Sequence, residues 1–139
     1  MNNVEQIILV NKESLMRTTS ATMQVLDSWH LDTSQMQTLL AMPSTVRARA
    51  FNGFRRGTPF PDNPVVKRRA DYILRISDAL RTTFPTNPNM AGRWIRQGHR
   101  RFGQNTPLSV MLQGEDGLIA ILAQLDCTFA WDLSGSTVV

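Results

Sequence analysis

The chain has 139 residues, 42% of them apolar and 19% charged, a length and balance that fit one domain or two small ones sharing a core. No apolar run approaches the roughly 18 residues of a membrane span. The patch Ile7-Ile8-Leu9-Val10 has no basic region before it and no small-residue cleavage site, so no signal peptide is expected. A single cysteine, Cys127, excludes an internal disulfide framework and suits a reducing cytoplasm.

The net charge of +4 conceals a polarity along the chain. Residues 1–43 carry two basic and four acidic side chains, and residues 44–101 carry thirteen basic and three acidic. Residues 102–139 have four acids and no Lys or Arg. A basic block confined to the middle of the chain points to a polyanion there, most often nucleic acid. Otherwise it is a solvated face that also packs on the acidic end.

In chain order, residues 3–16 form a helix, an arm or a strand, and Ser20 is a plausible N-cap for a helix to Trp29. Asp32-Thr33-Ser34-Gln35 is a capping-box start for a helix to about Leu40. Ala41-Met42-Pro43 interrupts it, because the residue before a proline is pushed out of the helical region. A third helix is predicted from Pro43 or Ser44 to about Phe54, before a loop dense in breakers from Gly57 to Pro64.

Three short helices with a tight turn between the second and third describe a helix-turn-helix, or any three-helix bundle with a basic third helix. In the motif, the first exposed residues of the third helix meet base edges. Those are Ser44, Thr45, Arg47 and Arg49, with Asn52 on the same outer side. Arg55 and Arg56 follow where backbone phosphates would lie.

Val65 to Phe84 is the longest regular stretch, with Val66, Ala70, Ile73, Leu74, Ser77, Leu80 and Phe84 on one stripe. Lys67-Arg68-Arg69 stands in its first turn, where the helix dipole disfavours cations. Phosphate contact and simple solubility are both open readings for them. Asn87-Pro88-Asn89 caps a short helix with Met90, Trp94 and Ile95, ended by Gly98. After the loop His99 to Asn105, Thr106-Pro107 pairs an N-cap with a proline at the first helical position. Gly114 stops that helix, and Leu118, Ile119, Leu122 and Leu125 define a last one.

The order Trp94-Ile95-Arg96, Phe102-Gly103, Thr106-Pro107-Leu108, Gly114 resembles the Xre/MbcA/ParS-type antitoxins of bacterial toxin–antitoxin pairs. The helix before it, ending at Phe84, and the helix-turn-helix pattern are similar as well, so the resemblance covers about residues 20–126. Gln104-Asn105, His99-Arg100 and Ala41-Met42-Pro43 depart from the family's usual residues. The resemblance implies an all-α chain, with an N-terminal Xre-like helix-turn-helix followed by a small helical toxin-binding domain. The divisions are an arm or helix over 1–19, a DNA-binding region over 20–64, a toxin-binding and dimerisation domain over 65–126, and a tail over 127–139.

It further implies an antitoxin of a type II pair, cytoplasmic and on the nucleoid when bound to DNA. Such a protein neutralises a RES-domain toxin that consumes NAD, and represses its own operon by binding operator DNA. A homodimer and no membrane partner are implied too. Trp94, Arg96, Arg101, Phe102, Trp131 and Asp132 are the toxin-binding candidates, Trp131 and Asp132 as an anchor and an acid at the tail. Trp94 also reads as core, and Trp131 as packing on the last helix.

Catalytic chemistry finds no support in the sequence. The histidines are His30 and His99, no metal-ligand spacing occurs, and no glycine-rich phosphate loop follows a strand. No cofactor or metal is therefore expected. The alternative to an antitoxin is a stand-alone helix-turn-helix regulator without a toxin. A third reading is an interaction module whose basic block binds an acidic protein.

Overall fold

A computed structural model describes residues 3–87 and 89–134, with side chains through residue 126. Those residues are all-helical, with no strand among them. The helices are α1 (Asn3–Ser28), α2 (Thr33–Leu40), α3 (Ala50–Arg56), α4 (Pro64–Thr83), α5 (Met90–Trp94), α6 (Pro107–Met111) and α7 (Glu115–Ser134). A 3-10 turn covers Arg100–Phe102.

The central element is α4, which touches α1, α2, α5 and α7. Its Val66, Ala70, Ile73, Ile76 and Leu80 are buried. They join Leu26 and Trp29, Leu39 and Leu40, Phe51 and Phe54, Met111, and Leu118 and Ile121 in one continuous core. The predicted stripe is present. Leu74 and Ser77 are only half-buried, while Ile76, outside the stripe, is fully buried. A helix covered by several neighbours buries more than one face.

Local caps set the starts of α2, α4 and α6 and the end of α2. The Asp32 carboxylate accepts from Gln35 N at 2.8 Å, and the Gln35 side chain accepts from Asp32 N at 3.0 Å. The helix-turn expected at 41–43 begins with Ala41 in the left-handed region, φ 51°, as the C-cap of α2. The Asn63 side chain accepts from Val65 N and Val66 N ahead of Pro64. Thr106 Oγ1 accepts from Ser109 N at 3.1 Å, with Pro107 opening α6.

Several boundaries differ from the sequence reading. Ser20 is not an N-cap, because α1 runs unbroken from Asn3 to Ser28. No Gly or Pro interrupts that stretch, and the Thr19 and Thr22 hydroxyls bond back to Leu15 O and Thr18 O, satisfying themselves inside the helix. The third helix starts at Ala50 rather than at Pro43 or Ser44. Residues 43–49 instead fold as successive tight turns, with Val46 N on Pro43 O and Ala50 N on Arg47 O, both at 2.9 Å. Pro43 fixes the entry, and the β-branched Thr45 and Val46 give a helix little local support there. Ser44, Thr45, Arg47 and Arg49 therefore precede the helix instead of forming its first turns.

At the other end, α7 continues to Ser134, past residue 126 where the sequence reading begins a tail. The seam between α6 and α7 is close: a Cβ on Gly117 would collide with the Val110 carbonyl. Only glycine permits that approach.

Candidate binding surfaces

The C-terminal candidate surface is built on α5 and the loop behind it. Trp94 ends α5 and is half-buried. The His99 ring lies 5.1 Å from it, tilted by 38°, and Phe102 meets His99 edge-on at 6.2 Å. The His99 ring nitrogen Nε2 is 3.2 Å from Trp94 O. His99 thus bridges two predicted residues into one aromatic ladder. The loop is closed by His99 N on Asn105 O and Gln104 N on His99 O. A Cβ on Gly98 would come within 2.5 Å of Gln104 O, which explains the glycine at the entry. Leu108 N donates to Ile95 O at 2.8 Å and fastens the next helix to the same ladder.

Among the predicted arginines, Arg101 is exposed. Arg96 has a structural partner: its guanidinium donates to His30 O at 2.9 Å and Gly92 O at 3.2 Å. It thereby ties α5 to the end of α1, where His30 turns the chain at φ 58°. Its side chain remains exposed beside the ladder. Trp131 and Asp132 lie outside the residues whose side chains are described. What the surface offers is a partly exposed aromatic step flanked by fixed positive charge, the kind of anchor that carries binding energy at protein interfaces. No metal-ligand cluster occurs among the described residues.

The N-terminal candidates fall into two groups. Ser44, Thr45, Arg47 and Arg49 are exposed on the turns before α3, and Asn52 and Arg56 are exposed on α3 itself. Gln37 Nε2 donates to Val46 O at 3.3 Å and pins those turns to α2. A T-shaped pair of Phe51 with Phe54 at 5.2 Å, and of Phe54 with Phe60 at 4.9 Å, anchors α3 from beneath. Arg55 is held differently. Its Nε and Nη2 donate to both Asp27 oxygens at 2.9 and 2.8 Å, and its Nη1 to Asn52 Oδ1 at 3.1 Å. That bidentate pair locks α3 to α1, and hydrogen bonding to Asp27 raises the Arg55 pKa further.

The three cations opening α4 are also engaged within the protein. Lys67 pairs with Asp62 at 2.6 Å, Arg68 grips the Glu115 carboxylate with two nitrogens, and Arg69 Nη1 donates to Thr38 O at 3.4 Å near the end of α2. They clasp neighbouring elements, and Arg68 on Glu115 is the packing of the basic block on the acidic end that the sequence left open. The hydrogen bond from Arg68 holds the Glu115 carboxyl below the usual glutamate value.

Residues 79–127 match the family model of the antitoxin Xre/MbcA/ParS C-terminal toxin-binding domain. The match runs from the last turns of α4 through the aromatic ladder to the middle of α7, about a third of the chain. It bears out the family resemblance over the C-terminal part of the stretch that the sequence singled out, where the matched domain is a toxin-binding one. No curated protein matches the chain. His99, Asp27 and Gly117 were missed by sequence reasoning. The Trp94–His99–Phe102 spacing follows no helical or strand period, and Asp27 meets Arg55 across 28 positions.

Proposed function

We propose that this protein is the antitoxin of a type II toxin–antitoxin pair, which binds and silences a RES-domain toxin acting on NAD and represses its own operon. The observation that carries the reading is the match to the toxin-binding domain over residues 79–127. The Trp94–His99–Phe102 ladder with Arg96 and Arg101 is the proposed toxin contact. Trp131 and Asp132 are proposed as further toxin contacts on the family resemblance alone. The proposed operator contact is the exposed segment Ser44, Thr45, Arg47 and Arg49, with Asn52 and Arg56. Arg55 supports it by fixing α3 rather than by meeting phosphate. Placing the arginines on turns instead of a long helix favours phosphate and groove-edge contacts over deep base reading. The protein would act in the cytoplasm, as a homodimer on a two-fold operator.

The test separates the two activities. Binding of DNA upstream of the gene is measured by fluorescence anisotropy between about 50 and 200 mM salt, where each phosphate neutralised contributes a log–log slope of about −0.9. Arg47→Ala with Arg49→Ala is expected to reduce that slope by about 2 and to weaken DNA binding, while toxin neutralisation persists. A folded double variant that loses both activities together would refute the division of labour. DNA binding without any toxin would favour a stand-alone regulator.

A further inference from the structure

The Trp94–His99–Phe102 ladder stands in a stretch of chain without acids. Residues 79–114 hold five arginines and no Asp, Glu or Lys. The acids that bracket the stretch are already engaged: Asp78 pairs with Arg81, and Glu115 with Arg68. The other four arginines, Arg93, Arg96, Arg100 and Arg101, lie within nine residues of chain and are all exposed.

Several cations elsewhere are answered by acids within the fold, as Arg17 is by Glu13, Arg55 by Asp27, Lys67 by Asp62 and Arg75 by Asp71. Around the ladder the pattern changes. Arg93 immediately precedes Trp94 and Arg100 immediately follows His99, and neither forms an ion pair or a side-chain hydrogen bond with the described residues. Arg96 is bonded to His30 O and Gly92 O, and carbonyl partners fix a guanidinium without cancelling its charge. Half-buried rings are thus set among exposed cations that the chain itself does not neutralise.

We infer that the toxin surface that docks here is acidic: an apolar recess for Trp94 and Phe102, rimmed by Asp or Glu side chains that pair with Arg93, Arg96 and Arg100. The inference rests on the toxin-binding reading above and gives that partner its chemistry. A guanidinium takes a carboxylate bidentately, and Arg beside Trp is the pairing that carries energy at protein interfaces. Arg96 is fixed in advance, so it loses little side-chain freedom on binding. Arg93 and Arg100 are free to steer the encounter and to set its register. The rings favour a protein over a nucleic acid, because His99 lies between Trp94 and Phe102, where a stacking base would have to insert.

Biolayer interferometry tests it, with the full chain immobilised and the purified product of the reading frame beside its gene in solution. The association rate is expected to fall about tenfold or more between about 50 and 500 mM NaCl, with the dissociation rate changing far less. Arg93→Glu with Arg100→Glu, both at exposed positions, is expected to slow association about tenfold at low salt and to remove most of the salt dependence. Arg93→Lys with Arg100→Lys keeps the charge and is expected to recover most of the rate. A parent whose association ignores salt, or a Glu pair that associates as fast as the parent, would overturn the acidic face while leaving a toxin partner. A Lys pair as slow as the Glu pair would show that charge is not the source, and would overturn it as well. A Glu pair that loses DNA affinity but associates normally with the toxin would reassign the arginines to nucleic acid. A neighbouring protein that does not bind at any salt concentration would overturn the toxin reading itself.

Discussion

Thr19 Oγ1 serves two partners at once. It donates to Leu15 O at 2.8 Å within α1 and accepts from Phe60 N at 2.8 Å, a buried bond across 41 positions. That second bond holds the breaker-rich loop after α3 against α1 and seats Phe60 in the core. Thr19→Val keeps the shape and leaves the buried Phe60 N–H without its acceptor. Urea unfolding is expected to show a loss of about 1–3 kcal/mol, the cost of an orphaned buried donor. An unchanged midpoint would contradict that role. Ala41 presents the opposite case. It closes α2 at φ 51°, where a Cβ is strained. Ala41→Gly is expected to raise stability by about 0.5–1 kcal/mol, read in the same titration, and a destabilised variant would mean that the methyl group does packing that outweighs its strain.

Between elements, cations act as clasps, and this is where pH enters. Arg68 on α4 holds Glu115 at the start of α7 and keeps its carboxyl below the ordinary value of 4.5. A lowered folded-state pKa contributes stability that is fully present above the unfolded value and is lost as pH falls through the folded one. Glu115→Gln should therefore be less stable than the parent at pH 7, and the two should converge in acid. A difference that does not shrink between pH 7 and about pH 3 would show that the charge is not its source. The same clasps mark what the sequence could and could not disclose. The Asp32–Gln35 box and the Thr106-Pro107 start were legible because both partners sit within one turn. Arg68 with Glu115 spans 47 positions and Arg55 with Asp27 spans 28, so no spacing rule reaches them. The start of α3 was misplaced because a basic stretch after Pro43 reads as helix whether its backbone forms a helix or successive turns. The toxin-binding end was legible as an ordered set of motifs, but the ring that joins them, His99, stands in a loop without periodicity.

At the scale of the whole molecule, the two candidate surfaces share one core. Leu26 of α1, Trp29 just after it, the buried row on α4, and Leu118 and Ile121 of α7 belong to a single cluster, and α4 touches elements of both ends. The basic turns before α3 and the aromatic ladder after α5 are thus carried by one folded unit rather than by separable domains on a linker. The proposed silencing of a toxin by its C-terminal end can be tested directly. The most direct measurement is co-expression of the tagged chain with the reading frame beside its own gene, followed by purification and an assay of cellular NAD. A co-purifying partner is expected that, expressed alone, arrests growth and depletes NAD, with both effects reversed by this chain. A neighbour that is harmless alone and does not co-purify would contradict it.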